Sequence, residues 1–319
     1  KDPAEKRDIL KDDLRLSDLC DLYLKEGVAT KKASTTSTDR GRIERHIKPL
    51  LGNRLCRNIT QADVERMMQD IANGKTAVDE RTGPKGRAIV KGGEGTATKS
   101  VTILGAIFTF AIRRGLRPDN PAHGVKKYPP RKLERFLTSS ELSRLGRALT
   151  LADEKGVNPS ATNAIRLLIL TGCRKGEVLT LRWKDTDFER SCLRLPDSKT
   201  GAKVVPLGKP ALELLETLPR LDDNPYVFPG SKGTKHFVGL PKVWERIRSD
   251  AGLDDVRIHD LRHSFASVGA LRGESLLIIS KALGHQNMET TAGYAHLTDD
   301  PLKAAVDRIS GSIADAMSD

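Results

Sequence analysis

Cysteine is scarce in this chain: four in 319 residues, at positions 20, 56, 173 and 192, with no C-x-x-C spacing among them. That excludes a disulfide framework, leaves the four as small buried apolar groups, and favours a reducing cytoplasm. Long apolar runs are missing as well. No stretch approaches the roughly 20 residues that a bilayer span requires. The opening KDPAEKRDILKDDL is too charged for a signal peptide, and the absence of an initiator Met suggests a trimmed chain. Neither G-x-G-x-x-G nor G-x-x-x-x-G-K-[ST] occurs in the glycine-rich stretch 74–97, so it carries no phosphate loop of a familiar kind. Internal repeats and long low-complexity segments are also missing.

Acidic residues are in deficit, 42 against 54 Lys and Arg, which gives a net charge of +12. The excess is local. Residues 1–30 carry a net of −2, whereas residues 31–117 hold 18 Lys/Arg against 8 Asp/Glu, a net of +10. A basic block of this size points to a polyanionic partner, most simply nucleic acid, although charge alone equally describes a solvated basic face.

At this length about two domains are expected. After a charged lead-in over 1–12, apolar residues at 16, 19, 22 and 23 predict an amphipathic helix over 14–24. A polar loop and basic helix follow, with Lys31, Lys32, Arg40, Arg42 and Arg45 suited to a nucleic-acid backbone. Thr60, with Asp63 three residues on, caps a helix carrying Val64, Met67, Met68 and Ile71. The stretch 74–97 reads as a mobile basic loop near DNA, with Arg87 and Lys91, in which 87–91 forms one arm of a hairpin turning at Gly92-Gly93. A strongly apolar helix over 96–115 carries Lys99 near its start. The first domain is thus all-α over 13–125, and a proline-punctuated linker over 126–136 leads to a second domain, 137–319.

That domain opens on a capping box, Thr138 with Glu141, before a helix to 149. A buried helix over 161–170 breaks at Thr171-Gly172, and the next turn sets Arg174 and Glu177 at i,i+3. Strands are expected at 188–195 and 203–207, joined by the turn PDSKTGA that carries Lys199, and helices at 210–218 and 241–251. The fold class is mainly α with a small antiparallel β-sheet.

Residues 258–297 concentrate the chemistry. They hold four of the seven histidines, at 259, 263, 285 and 296, with Arg262 and one of the four tyrosines, Tyr294. Helical spacing of Leu261, Phe265, Val268 and Leu271 places His259, Arg262 and His263 near one end of a helix, and Gly273 and Gly284 bracket the next. Such a set suits a phosphodiester. Arg174 and Arg262 offer planar forks to phosphoryl oxygens, Tyr294 can attack phosphorus, and Lys199 can protonate the leaving 5′-hydroxyl. His259 can accept the tyrosine proton, His285 can hydrogen-bond a phosphoryl oxygen, and Glu177 supports the Arg174 region. Each has a plainer reading: a helical ion pair for Arg174 and Glu177, a solvated Lys199, a core tyrosine. His263 is read as a packing neighbour that orients its helix.

Taken in order, TGCRKGE, a hairpin lysine, HDLRHSFAS, LGH and TTAGYAH resemble the tyrosine recombinases, the phage-type integrases, over nearly the whole chain. The resemblance assigns Arg174, Lys199, His259, Arg262, His285 and Tyr294 as the catalytic set, with Tyr294 the nucleophile and Lys203 the nearest rival of Lys199. It implies a core-binding, SAM-like all-α domain and an α+β catalytic domain clamped around duplex DNA, and strand exchange by a homotetramer. A helix over 299–316 would dock onto a neighbour, and an arm-binding domain is expected upstream. The implied activity is cleavage and rejoining of DNA through a 3′-phosphotyrosine, for integration or excision of a mobile element. It needs no metal, cofactor or ATP, leaves room for accessory DNA-bending or directionality proteins, and takes place in the bacterial cytoplasm and nucleoid, away from membranes. Three rivals remain: a type IB topoisomerase, a DNA-binding protein without catalysis, and a metalloenzyme in which HDLRH mimics H-E-x-x-H, against which Arg262 between the ligands would repel a dication.

Overall fold

The computed structural model describes residues 14–83, 86–129, 135–196, 201–231, 233–284 and 289–295, with 303, 306, 307, 309, 310, 313 and 317 of the tail. The chain divides into two compact units, Lys1–Lys132 and Leu133–Asp319. The lead-in 1–12 lies outside the described residues, as does most of the expected helix 299–316, whose described residues are helical.

The first unit is built from α1 (Leu16–Leu22), α2 (Ala33–Arg42), α3 (Lys48–Leu51), α4 (Gln61–Ala72), a hairpin of β1 (Val78–Gly83) and β2 (Gly86–Val90), and α5 (Glu94–Arg113). Short π-helical turns, Tyr23–Gly27 and Ile43–Ile47, extend α1 and α2. The Thr60 cap forms as expected: its side chain accepts from the Asp63 amide, and the Asp63 carboxylate accepts from the Thr60 amide. α5 is the central helix, burying Ala97, Val101, Leu104, Ile107, Phe108 and Ala111 in the unit's core. At 20 residues and mean hydropathy 1.3 it is, among the described residues, long and apolar enough by composition to cross a membrane. The expectation that no stretch reaches that length is corrected here, because its Ser, Thr and Gly residues weigh little in hydropathy.

A second difference concerns the hairpin. Residues 86–90 form its second arm, pairing antiparallel with β1 (Val78 opposite Val90), so the unit expected to be all-α carries two strands. Gly92 and Gly93 instead lead into α5, with φ of +74° and +88°. A paired glycine signal marks positive φ, which both a tight turn and the start of a helix can demand.

The second unit contains α6 (Ser139–Glu154), α7 (Pro159–Thr171), α8 (Lys175–Leu179), β3 (Thr186–Asp187), β4 (Cys192–Leu195), β5 (Lys203–Pro206), α9 (Lys209–Thr217), α10 (Leu240–Asp250), α11 (Ile258–Leu271), α12 (Leu276–Leu283) and α13 (Glu289–Ala292). The three strands form one antiparallel sheet in the order β3-β4-β5. α11 packs across α7 and α12, α10 against α6, and their apolar faces close over Phe228, Leu168, Trp244 and Leu261. The observed class, mainly helical with small antiparallel sheets, is the one the sequence predicts. All four cysteines are free and buried, and burial pushes the Cys20 thiol up to about 12 and Cys56 to about 11.

Acid sensitivity follows from three groups. Backbone donation from Thr60 holds Asp63 at about 2 despite its burial, helped by Arg54. Arg135 and the Thr138 amide hold Glu141 at about 2. His259 is held at about 4, foremost by desolvation and then by His263 and Arg262. All three are depressed, so each contributes stability that is present above its unfolded pKa and lost as pH falls toward the folded value. The urea midpoint is therefore expected to be level near pH 7–8. It should slip between about 6.5 and 4 as histidine charges, and fall steeply from about 4.5 to 2 as the carboxylates protonate. Glu141→Gln should lower the midpoint at pH 7 and converge on wild type near pH 2, which a urea series at each pH measures.

Candidate active site

The site grows from two helix ends. α7 stops at Gly172, where φ is +62°, and a Cβ there would come within 2.8 Å of Leu283 and of Phe265. Only glycine permits both the left-handed turn and that close approach. α12 likewise stops at Gly284, φ +67°. Each end exposes carbonyls that a cation can satisfy, and one side chain reaches both. Arg262 Nη1 donates to the Gly172 carbonyl at 2.7 Å and Nη2 to the Leu283 carbonyl at 3.0 Å. At 4% exposure it is a buried guanidinium fastening α7 and α12 to its own helix, α11.

Arg174 immediately follows this corner as the N-cap of α8. Glu177, at the third helical position, accepts from the Arg174 amide at 2.9 Å and from its Nη1 at 2.9 Å. Lys203, the first residue of β5, donates at 2.8 Å to Oε2 of that carboxylate, the oxygen that also accepts from the Arg174 amide. Burial would raise the Glu177 pKa, but these donors outweigh it and hold the carboxylate below its usual range. Glu177 thus clamps an arginine and a strand lysine, and the lysine is not among the partners that sequence reading gives this carboxylate. Lys203 lies 26 residues away in sequence, so no local periodicity announces the pair. Lys199 lies outside the described residues, as do His285 and His296.

α11 presents His259 and His263 one turn apart, their rings perpendicular with centroids 4.9 Å apart. His259 is exposed, so solvent screens part of the depression that burial, His263 and Arg262 impose on it. Beside it opens a cleft lined by Cys173, Lys175, Trp244, Arg248 and Arg257. His263, in contact with His259, reaches the tyrosine. Its Nδ1 lies 2.5 Å from the Tyr294 hydroxyl, a partnership that sequence reading missed. Tyr294 follows α13, packs with Ala266, Ala270, Ile279 and Leu283, and is 9% exposed. Burial pushes its phenol up, opposed by the Arg262 charge. Burial first, and then the Arg174 charge, lower the Arg262 pKa. The Glu177 carboxylate offsets part of that repulsion, and a further anion such as a phosphate would offset more of it. Among the described residues no group of three or more His, Cys, Asp or Glu is arranged to hold a metal ion.

In the first unit the basic residues divide by their partners. Lys31 is tied inward, donating to Asp39 at 2.6 Å and to the Tyr23 hydroxyl at 2.7 Å. Arg87 makes a two-pronged pair with Asp79 across the hairpin, and Arg45 approaches Glu80 at 3.7 Å. Lys32, Arg40, Lys91 and Lys99 are exposed, while Arg42 is half-buried.

Comparison with known proteins gives one consistent picture. The profile of the phage integrase family matches residues 135–300. A tyrosine recombinase of Thermosipho africanus is 30% identical over 260 residues, 79% of this chain and 85% of that one. Tyrosine recombinase XerD of Neisseria meningitidis is 24% identical over 288 residues, 84% of this chain and 97% of the relative. Among solved structures, a lambda integrase dimer bound to a COC′ core site superposes with a TM-score of 0.69 at 18% identity, covering 94% of this chain and 81% of the other. The Tn1549 transposon integrase in complex with circular intermediate DNA gives 0.68 at 18% identity, with 90% and 98% covered.

Proposed function

Because the chain belongs to the phage integrase family of tyrosine recombinases, and is thereby a site-specific recombinase, we propose that it integrates or excises a mobile element with Tyr294 as nucleophile. The observation that carries the reading is that the buried Arg262 feels both the Arg174 charge and Tyr294, two residues 120 apart in sequence, with the phenol itself acted on by Arg262. In the proposed step the Tyr294 oxygen attacks a DNA phosphorus held by the two guanidiniums. A P–O bond to tyrosine forms, the bond to the 5′-oxygen breaks, and that oxygen leaves with a proton from Lys199. The bond energy is retained in the phosphotyrosine, so the free 5′-hydroxyl of the exchanged strand can reverse the step without ATP. His259 and His285 are assigned to phosphoryl oxygens and proton handling, and Glu177 holds Arg174 in place.

Duplex DNA is the proposed partner. Arg40, Arg42, Lys91 and Lys99 are assigned to its backbone, with Lys32, Arg45 and Arg87 beside them, and Lys31 serving the fold first. The domain reading of 13–125 as core-binding and 137–319 as catalytic is carried forward on the same footing. The lambda and Tn1549 integrases were captured on DNA, lambda integrase both as a dimer and as a tetramer on a Holliday junction. A tetramer on DNA is proposed here by analogy. Val306, Ile309, Ile313 and Met317 of the tail are exposed and spaced three and four apart, an apolar face of the kind a neighbouring protomer would cover. Action in the cytoplasm or nucleoid follows from the substrate. The lambda and Tn1549 likenesses favour a mobile element, and a Xer-type task is the alternative the relatives support.

The test is direct. Duplexes nicked just 3′ of candidate scissile phosphates, drawn from the ends of the element encoding the chain, are incubated with protein, denatured and resolved on a gel. A shifted, protease-sensitive band establishes covalent cleavage. Tight binding to every duplex with no adduct would favour a DNA-binding protein without catalysis.

A further inference from the structure

We propose that His263, and not His259, receives the Tyr294 proton during strand cleavage. The proposal rests on the reading of Tyr294 as nucleophile. Its ground is geometric: His263 Nδ1 lies 2.5 Å from the phenol oxygen, within hydrogen-bond reach, while the His259 ring stands one helical turn earlier, edge-on to His263. A base must first be within reach of the proton it removes, and His263 alone is in hydrogen-bond contact with Tyr294 Oη among the described residues.

The surroundings suit an acceptor. α11 contributes Arg257, His259, Asp260 and Arg262 around His263, and the facing segment contributes Tyr294 itself. The Asp260 carboxylate, which would favour a charged imidazole, is engaged by Arg257 through two hydrogen bonds. Burial, joined by Arg257 and Arg262, keeps His263 below its usual pKa and therefore neutral near pH 7, with one ring nitrogen free to accept.

The step balances within the site. The phenolic O–H bond breaks as the P–O bond forms, the proton moves to His263 Nδ1, and rejoining returns it to the tyrosine. Arg262, which acts electrostatically on Tyr294, stabilises the developing phenolate meanwhile. The helix spacing His259-x-x-Arg262-His263 puts both imidazoles on one face, but only the fold decides which of them meets the tyrosine.

The experiment uses the full chain and a nicked duplex carrying a sulfur in place of the bridging 5′-oxygen at the scissile phosphate, since a thiolate leaves without an acid. Wild type is expected to form the adduct and Tyr294→Phe to form none, and absence of the wild-type adduct would overturn the nucleophile reading and this proposal with it. Given that adduct, His263→Asn, which keeps a polar group near the Nδ1 position without basicity, should slow its formation by roughly 10²–10⁴. It should also lose the acid limb of the pH–rate profile while binding DNA as tightly as wild type. His263→Gln serves as the second variant should Asn lower the melting temperature. Two results overturn the proposal: His263→Asn and His263→Gln cleaving at the wild-type rate, or a defect on oxygen duplex that the sulfur duplex repairs, which would place His263 on the leaving-group side.

Discussion

Tyr294→Phe is expected to bind duplex DNA with wild-type affinity and salt dependence and to form no covalent adduct at all. The ring is held by Ala266, Ala270, Ile279 and Leu283, and phenylalanine keeps that shape. What is lost is one oxygen, with its bond to His263 Nδ1. Loss of a hydrogen bond of this kind costs about 0.5–1.5 kcal/mol, and His263 is only half-buried, so water can take the vacated place. The unfolding midpoint should therefore move little. DNA affinity rests on phosphate contacts made by Lys and Arg, so the slope of log affinity against log salt should match wild type. Chemistry has no such reserve, because a phenyl ring carries no nucleophile. Filter binding at several salt concentrations, paired with the denaturing gel, separates the two properties. An adduct that persists in Tyr294→Phe would mean that another side chain attacks.

The sequence showed the chemistry of this site more clearly than its wiring. Local signals translated directly where the physics is local. Thr60 and Asp63 form the capping box that their spacing announces, as do Thr138 and Glu141, and Gly284 ends α12 where its position brackets that helix. Arg174 and Glu177 pair, as their three-residue spacing allows. What could not be read is which distant partner completes each group. Lys203 reaches Glu177 across 26 residues and His263 reaches Tyr294 across 31, and no periodicity encodes either contact. Lys31 shows the converse. In a basic, polar stretch it reads as a backbone contact for DNA, yet Asp39 and Tyr23 hold it inside the first unit. Charge composition counts a lysine without knowing whether a carboxylate eight residues away has already claimed it. The hairpin was half legible for a related reason, since Gly92-Gly93 reports positive φ without saying whether a turn or a helix uses it.

Arg262→Ala is expected to remove strand cleavage and to destabilise the second unit together, whereas Arg174→Ala should separate the two effects. Arg262 is 4% exposed and satisfies two carbonyls, Gly172 at the end of α7 and Leu283 at the end of α12. Alanine leaves the Gly172 acceptor buried without that donor and Leu283 with only a long 3.5 Å bond from Lys203, at up to about 1–3 kcal/mol each, and opens the space of a guanidinium besides. With a melting shift of about 2–4 °C per kcal/mol for a unit of this size, the midpoint should fall by about 5–20 °C. Arg262→Lys should recover little, because a point ammonium cannot span two carbonyls as a planar fork does. Arg174 sits differently. Its side chain is 22% exposed, and Glu177 retains Lys203 when it is removed, so the carboxylate stays compensated. Arg174→Ala should melt within a few degrees of wild type and still lose cleavage by roughly 10²–10³, the scale of a deleted oxyanion donor. Calorimetry beside the adduct assay measures both. If Arg174→Ala melted as low as Arg262→Ala, the two arginines would share a structural task, and the division between a guanidinium that holds the fold as well as phosphate and one that serves phosphate alone would be wrong.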